Sequence, residues 1–228
     1  VRGMFGSNPH VIRLLESALA ELKKLGAELV DPVEMPTQGK FHEDEFTVLL
    51  YEFKDGLNAY FASLGDAAPV KTLAGLIAFN ERNRERTMPF FEQEILQMAE
   101  AKGPLTSKEY LQARERCVRM SRAEGIDGVM ERHKLDALIA PSGGPAFPID
   151  LVNGDHYTGT GSSTFAAVAG YPHVTVPAGQ VFGLPVGLSF FGRAWSEPRL
   201  IGLAYAFEQA TRHRRAPTFA AGAALPGG

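Results

Sequence analysis

The stretches "HVTVPAG" (residues 173–179) and "GLPVGLSFFG" (residues 183–192) decide the fold class of this chain. Both are rich in β-branched or aromatic residues, and no charged residue lies between His173 and Arg193. A hairpin at a protein surface usually alternates apolar and polar residues, whereas a strand covered on both faces is a near-continuous apolar run. The two stretches therefore predict strands in the middle of a sizeable sheet.

Helix signals precede these strands. Asn8 and Pro9 suit the N-cap and the first position of a helix, and Gly26 suits its end. We predict short strands on either side of this helix, in "VRGMFG" (1–6) and in "AELVDPVEMP" (27–36). Strand, helix and strand at this spacing are typical of an α/β fold.

The middle of the chain, from about 41 to 134, has the pattern of a helical segment. Four helices are expected there, at 41–63, at 72–82, at 89–101 and in a longer stretch that ends near 134. Gly125 and Gly128 weaken the last of them, so we expect a break nearby. The segment is expected to pack over a sheet built from both ends of the chain.

The C-terminal third continues the α/β pattern. "LDALIAP" (135–141) predicts a strand that ends in a turn rich in proline and glycine. A short helix of small residues is expected near 163–169, and Ser196 suits the N-cap of a last helix at 197–212. The final stretch, 220–228, predicts a flexible tail.

Composition excludes several classes of function. The net charge of −3 gives no basic surface for nucleic acid, and no apolar run is long enough to span a membrane. The start of the chain does not resemble a signal peptide, so a cytoplasmic location is expected. The single cysteine, Cys117, cannot form an internal disulfide, and the histidines form no H-E-x-x-H pair. Neither a metal nor a cofactor is expected.

The loop "TGTGSST" (158–164) is the first candidate for a ligand site. Its glycines allow a close approach of the backbone, and its hydroxyls and the following helix N-terminus suit an anion or a carbonyl group. The loop lacks the pattern of a nucleotide-binding P-loop. Two interpretations stay open at this point, a ligand-binding loop and an ordinary loop that leads into a helix N-cap.

A serine hydrolase is a second candidate. Ser162 or Ser163 could pair with His156 or His173, and Asp155 could orient the histidine. The sequence has no G-x-S-x-G elbow, and such triads are recognised by geometry rather than by proximity in sequence. The simpler interpretation is that these are loop serines and surface histidines.

Taken together, several stretches resemble the C-terminal region of the amidase signature family. They are "LDALIAPSGGPAFP", "AAVAGYPHVTVPAG", "GLPVGLSFFGRAWSEPRLIGLAYAFEQAT" and "RRAPTF", with "TLAGLIAFNERNRERTMPFFEQEILQMAE" similar to the members related to peptide amidase. The resemblance extends from about Val1 to Phe219 and implies one domain over 1–219. It implies an α/β fold, the C-terminal part of the amidase-signature fold, with a mixed β-sheet core flanked by helices on both faces.

The resemblance also implies a chemistry whose residues this chain lacks. The family uses a Ser–cis-Ser–Lys arrangement, in which a base activates a serine hydroxyl that attacks an amide. The Gly/Ser-rich loop of the family lies in the N-terminal half of those enzymes. The run Gly161-Ser162-Ser163 of this chain does not match that loop, because Thr164 follows it. We therefore assign no catalytic residue. The chain is expected to be a C-terminal fragment of a cofactor-free amidase that converts a carboxamide to acid and ammonia, and to be inactive alone.

By the same resemblance, the loop before the small-residue helix lies near the acyl pocket. Its candidates for lining a substrate pocket are Thr158, Gly159, Thr160, Gly161 and Ser162. The implied partners are a small-molecule or peptide amide and the missing N-terminal half of the enzyme. Without that half, exposed sheet edges and apolar surface would favour a homodimer. The alternative is a non-catalytic binding or assembly domain that retains the amidase scaffold.

Overall fold

A computed structural model of the chain describes residues 1–219, and the predicted tail at 220–228 lies outside the described residues. The chain forms two compact units. One consists of Val1–Gln38 together with the chain from Arg119 onward, and the other is Gly39–Val118. The α/β class is confirmed, whereas the expected packing of the helical segment over the sheet stays a prediction.

The helices and strands follow in chain order. They are α1 (Pro9–Lys24), α2 (His42–Ser63), α3 (Leu73–Arg82), α4 (Arg84–Thr87), α5 (Glu94–Glu100), α6 (Lys108–Ser121), α7 (Asp127–His133), β1 (Leu138–Pro141), α8 (Ser163–Ala169), β2 (His173–Val181), β3 (Leu184–Phe191) and α9 (Glu197–Thr211). No helix among the described residues is long and apolar enough to cross a membrane.

The sheet of the first unit has three antiparallel strands in the order β1–β3–β2. Both opening stretches are strands, as predicted, but only β3 lies in the middle of the described sheet, and β2 is an edge strand. They form a hairpin through Phe182 and Gly183, whose φ angles of 51° and 78° suit a two-residue type I′ turn. β3 is apolar although it belongs to a hairpin, because it lies between two other strands and on a packed core.

One face of the sheet packs against α1 and α9. Asn8 caps α1 as predicted, since its side chain accepts the backbone N–H of His10 and that of Val11. The buried apolar residues of this core come mainly from α1, β2, β3 and α9, and the partly buried Ile139 of β1 packs against them. They include Val11, Leu15, Ala18, Leu22, Val176, Val186, Leu188, Phe190, Leu200, Ala204 and Phe207.

Two predicted strands at the beginning of the chain are wrong. Residues Arg2–Met4 form a 3₁₀ turn, in which the N–H of Met4 donates to the carbonyl of Val1. In 27–36, Val33 and Met35 are buried in alternation, as in a strand, but no strand forms. Proline lacks the N–H that a sheet ladder needs, and this stretch contains Pro32 and Pro36.

The predicted helices of the middle segment are present. Thr72 caps α3, because its hydroxyl accepts the N–H of Gly75 at 3.1 Å. The helix predicted at 89–101 begins only at Glu94. The expected break lies at Gly125, whose φ of −106° and ψ of −113° are not helical, within a π-helical turn that separates α6 from α7. In the second unit, Leu50, Leu73 and Ala99 form a small apolar core.

Candidate functional site

Three hydroxyl groups meet on the face of the sheet that is turned away from α1 and α9. Side chains alternate along a strand, so Ser189 points away from the core that its neighbours Leu188 and Phe190 join. Ser142 Oγ lies 2.7 Å from Ser189 Oγ, and Thr175 Oγ1 lies 3.2 Å from each of them. We call Ser142, Thr175 and Ser189 the hydroxyl cluster.

Gly187 makes the hydroxyl cluster possible. A Cβ atom at this position would lie 2.6 Å from Ser142 Oγ and 2.7 Å from Thr175 Cγ2, closer than side-chain atoms approach. Ser189 is fully buried, whereas Thr175 is exposed. A hydroxyl can both donate and accept a hydrogen bond. At the surface, the exposed hydroxyl of Thr175 can therefore bond either a donor or an acceptor.

Next to the hydroxyl cluster, Ser162 and His173 form a second polar contact. Ser162 is the N-cap residue of α8 and donates its hydroxyl hydrogen to the carbonyl of Pro141 at 2.7 Å. Its Oγ also lies 3.2 Å from His173 Nε2. A hydroxyl has one hydrogen to give, so in this arrangement Nε2 donates and Ser162 Oγ accepts. The imidazole therefore does not act as a base toward this serine.

The environment of His173 favours its neutral form. The imidazole stacks on the ring of Phe191, with 5.7 Å between the ring centroids. Burial lowers the pKa of His173 from its ordinary value, because desolvation disfavours the charged imidazolium. The described contacts of the His173 side chain are thus an aromatic ring and a hydroxyl. They do not include a carboxylate that would orient the imidazole, as in a catalytic triad.

Three of the predicted pocket residues, Thr158, Thr160 and Gly161, bond to the beginning of the chain. Thr160 is buried, and its hydroxyl donates to the carbonyl of Phe5 at 3.1 Å. The N–H of Gly161 donates to the carbonyl of Met4 at 3.3 Å. These bonds attach the loop to the 3₁₀ turn and use polar groups that a ligand would otherwise need.

The pocket candidates Thr158 and Gly159 differ in exposure. The carbonyl of Thr158 accepts the N–H of Ser7 at 3.2 Å, and Thr158 is half-buried. Gly159 is exposed and adopts a φ of 72°, which favours glycine. The loop is therefore a structural connection over most of its length, with an open backbone at Gly159. A role in lining a substrate pocket stays a prediction.

The structure brings together only two of the residues considered for a serine hydrolase. Ser162 and His173 are brought together, but the serine is 3% exposed. The other members considered from the sequence, Ser163, His156 and Asp155, are exposed. The exposed His156 and Asp155 and the buried Ser162 do not form the linked nucleophile, base and orienting carboxylate that a catalytic triad needs.

Other reactive groups give no second candidate. Cys117 is buried, and its desolvation raises the pKa of the thiol to about 11. The thiol is therefore protonated at neutral pH, and it is a packing residue rather than a nucleophile. Among residues 1–219, no group of three or more His, Cys, Asp or Glu side chains is placed to hold a metal ion.

Comparison with known proteins identifies the family. The family model described as amidase matches residues 2–201. A protein of Arabidopsis thaliana named as a probable amidase is 36% identical over 214 residues, which cover 91% of this chain and 38% of that protein. A glutamyl-tRNA(Gln) amidotransferase protein of Chromobacterium violaceum is 28% identical over 223 residues, which cover 93% of this chain and 44% of that protein.

Solved structures agree with the sequence comparison. Native peptide amidase from Stenotrophomonas maltophilia has 48% identity and a TM-score of 0.82, over 92% of this chain and 41% of that one. An amidase family protein from Bacillus anthracis has 29% identity and a TM-score of 0.74, over 93% of this chain and 38% of that one. The chain thus spans about two fifths of the length of these relatives, and it belongs to the amidase family.

Proposed function

We propose that this chain is the C-terminal part of an amidase that hydrolyses a carboxamide, such as a peptide C-terminal amide, to the acid and ammonia. The observation that carries the proposal is the 48% identity to peptide amidase over 92% of the chain. The amidotransferase of Chromobacterium violaceum is only 28% identical over a similar length. The difference favours a peptide-amidase-like substrate over a tRNA-linked one.

In the proposed reaction, a serine oxygen attacks the amide carbon, the C–N bond breaks, and ammonia leaves with an added proton. Water then releases the acid from the acyl-enzyme, which restores the serine. The serine needs an adjacent base, and we place the Ser–cis-Ser–Lys triad outside this chain. The absence from this sequence of a run that matches the family's Gly/Ser-rich loop supports this placement.

The proposed role of this chain is to complete the scaffold around the reacting amide. The hydroxyl cluster ends at the exposed Thr175, and the loop at 158–162 presents an open backbone at Gly159. Both could contact a bound substrate once the N-terminal half of the enzyme is present. The partners in this proposal are therefore that half and a small-molecule or peptide amide.

An assay of the isolated chain tests the proposal. The 228-residue chain is expected to release no ammonia from a panel of peptide amides above the enzyme-free rate. The same protein, purified as its native source makes it, is expected to have an intact mass far above 24.7 kDa and to release ammonia. A native mass near 24.7 kDa without ammonia release would overturn the amidase assignment.

The alternative function is a non-catalytic binding or assembly domain. The hydrogen bond from the Ser162 hydroxyl to the carbonyl of Pro141 favours this alternative, because the one described contact between a serine and a histidine is then structural. A native mass near 24.7 kDa would select this alternative. Labelling by a fluorophosphonate that is lost in Ser162→Ala or in Ser163→Ala would instead identify a serine hydrolase within the chain.

A further inference from the structure

A small cavity lies between the beginning of α1 and the hairpin of β2 and β3, within the first unit. Its volume is about 250 Å³. α1 lines one side of it with His10, Arg13, Leu14 and Ser17, and residues 180–182 line the other side. Gly179 allows this close approach, because a Cβ atom there would lie 2.6 Å from Leu14 Cδ1. We call this space the α1 cavity.

Arg13 is positioned at the α1 cavity by a pair of rings. Its Nη2 lies 2.7 Å from His10 Nδ1. A guanidinium group can only donate, so Nδ1 accepts, and the neutral imidazole carries its hydrogen on Nε2. The imidazole packs on the ring of Phe182 in the hairpin turn, with 4.6 Å between the ring centroids. The turn therefore positions His10, and His10 positions Arg13.

The lining of the α1 cavity does not neutralise the charge of Arg13. Arg2 and Arg199 in the same unit form ion pairs with carboxylates, whereas the described partner of the Arg13 side chain is a neutral imidazole. Among residues 1–219, the lining contains no aspartate or glutamate. A guanidinium group has five N–H donors, and His10 accepts from it at Nη2. The group can therefore offer further donors to an anion in the cavity.

The backbone at the start of α1 does not supply this site. The N–H groups of His10 and Val11 donate to the side chain of Asn8, at 2.9 Å and 3.3 Å. The helix N-terminus is thus capped by the chain itself. An anion in the α1 cavity would be bound by side chains.

The lining of the α1 cavity specifies the class of ligand. The fork of N–H groups on Arg13 matches the two oxygens of a carboxylate, and its single charge suits a monoanion. Leu14, Val181 and Phe182 add an apolar wall, which suits a short hydrocarbon group. The side-chain amide of Gln180 can donate a further hydrogen bond.

We infer that the α1 cavity binds a small carboxylate with a short apolar group, and that Arg13 is its anchor. A donor that is already positioned loses less side-chain freedom on binding, which favours affinity. The cavity lies on the face of the sheet that α1 covers, whereas the hydroxyl cluster lies on the opposite face. The inference therefore adds a second site and does not rest on the proposed amidase reaction.

The test is a titration of the protein at its full native length with isovalerate, at constant pH and ionic strength. Isotope-labelled histidine reports binding by NMR, and the His10 ring resonances are assigned by their loss in His10→Gln. We expect these resonances to shift saturably with isovalerate. Isoamyl alcohol has the same apolar group without the charge, and it should cause no saturable shift in the same concentration range.

Matched arginine variants locate the site. Arg13→Gln removes the charge-assisted hydrogen bonds and should weaken isovalerate binding by about tenfold or more. Arg132→Gln removes the same charge from an exposed position on α7 that does not line the cavity, so it should bind like the parent protein. Circular dichroism checks that both variants are folded.

Two further anions test the apolar wall. Acetate has the carboxylate without the apolar group, so it should bind at least about threefold more weakly than isovalerate. Inorganic phosphate has neither the apolar group nor the planar pair of oxygens, and it should also bind more weakly.

Three outcomes would overturn the inference. They are no saturable shift of the His10 resonances with isovalerate, equal affinities of Arg13→Gln and Arg132→Gln, and tighter binding of phosphate than of isovalerate. None of these measurements needs catalytic activity, so they fail or succeed separately from the ammonia assay.

Discussion

At the scale of single residues, Ser162 links three parts of the first unit. It precedes α8, donates to the end of β1 at Pro141, and contacts His173 at the start of β2. The sequence singled out this serine as a nucleophile or a pocket residue. Its neighbours in space could not be predicted, because Pro141 lies 21 residues away and belongs to another element.

Ser162→Ala should lower the free energy of unfolding by about 1–3 kcal/mol, because the buried carbonyl of Pro141 loses its donor. Ser163→Ala is the matched control, since Ser163 is adjacent and exposed, and it should change stability by less than about 0.5 kcal/mol. Urea unfolding of both variants measures the difference. Equal stabilities would contradict the structural role of Ser162.

His173 predicts a pH dependence of stability. Its pKa is lowered in the folded chain, so the unfolded chain takes up the proton first as the pH falls. The contribution of His173 is therefore complete above the ordinary histidine pKa of 6.5 and is lost as the pH falls below that value. His173→Gln should show a smaller decrease in unfolding free energy below pH 6.5 than the parent chain. A variant with the same pH profile as the parent would refute this role.

Cys117 should be unreactive in the folded chain. Burial raises its pKa to about 11, so very little thiolate is present at pH 8. We expect alkylation by iodoacetamide to be at least about tenfold slower than for the same chain in urea, as followed by mass spectrometry. Alkylation at the same rate in both conditions would show that the thiol is accessible.

At the scale of elements, local signals predicted more than long-range pairing did. The capping residue Asn8 and the break near Gly125 are encoded within a few residues, and each is found where expected. The hydroxyl cluster was missed, because Ser142 and Ser189 meet only through the antiparallel register of β1 and β3. The strand predicted near Pro32 does not form, because alternating apolar residues do not ensure that a neighbouring strand pairs with them.

Two glycine substitutions should have opposite effects on stability. Gly187→Ala would force its Cβ against Ser142 and Thr175, and should destabilise the chain by about 1–3 kcal/mol. Gly202→Ala on α9 has no atom within 4 Å of the added Cβ, so better helix propensity should stabilise the chain by up to about 1 kcal/mol. Thermal unfolding compares them. A stabilising Gly187→Ala would mean that the hydroxyl cluster is loosely packed.

At the scale of the whole molecule, the chain spans about two fifths of the length of its relatives. The family resemblance of the strands and the last helix was visible in the sequence, and the amidase match confirms it. The hydroxyl groups of Ser142, Ser189, Thr160 and Ser162 bond to each other or to the backbone. The proposed amidase activity therefore requires catalytic residues from outside this chain.

Ammonia release by a chimera tests this account most directly. In the chimera, residues 1–219 of this chain replace the matching part of the Stenotrophomonas maltophilia peptide amidase, and the isolated chain serves as the paired sample. We predict ammonia release from a peptide amide by the chimera and none by the isolated chain. Release by the isolated chain, or a folded chimera without activity beside an active parent amidase, would contradict the account.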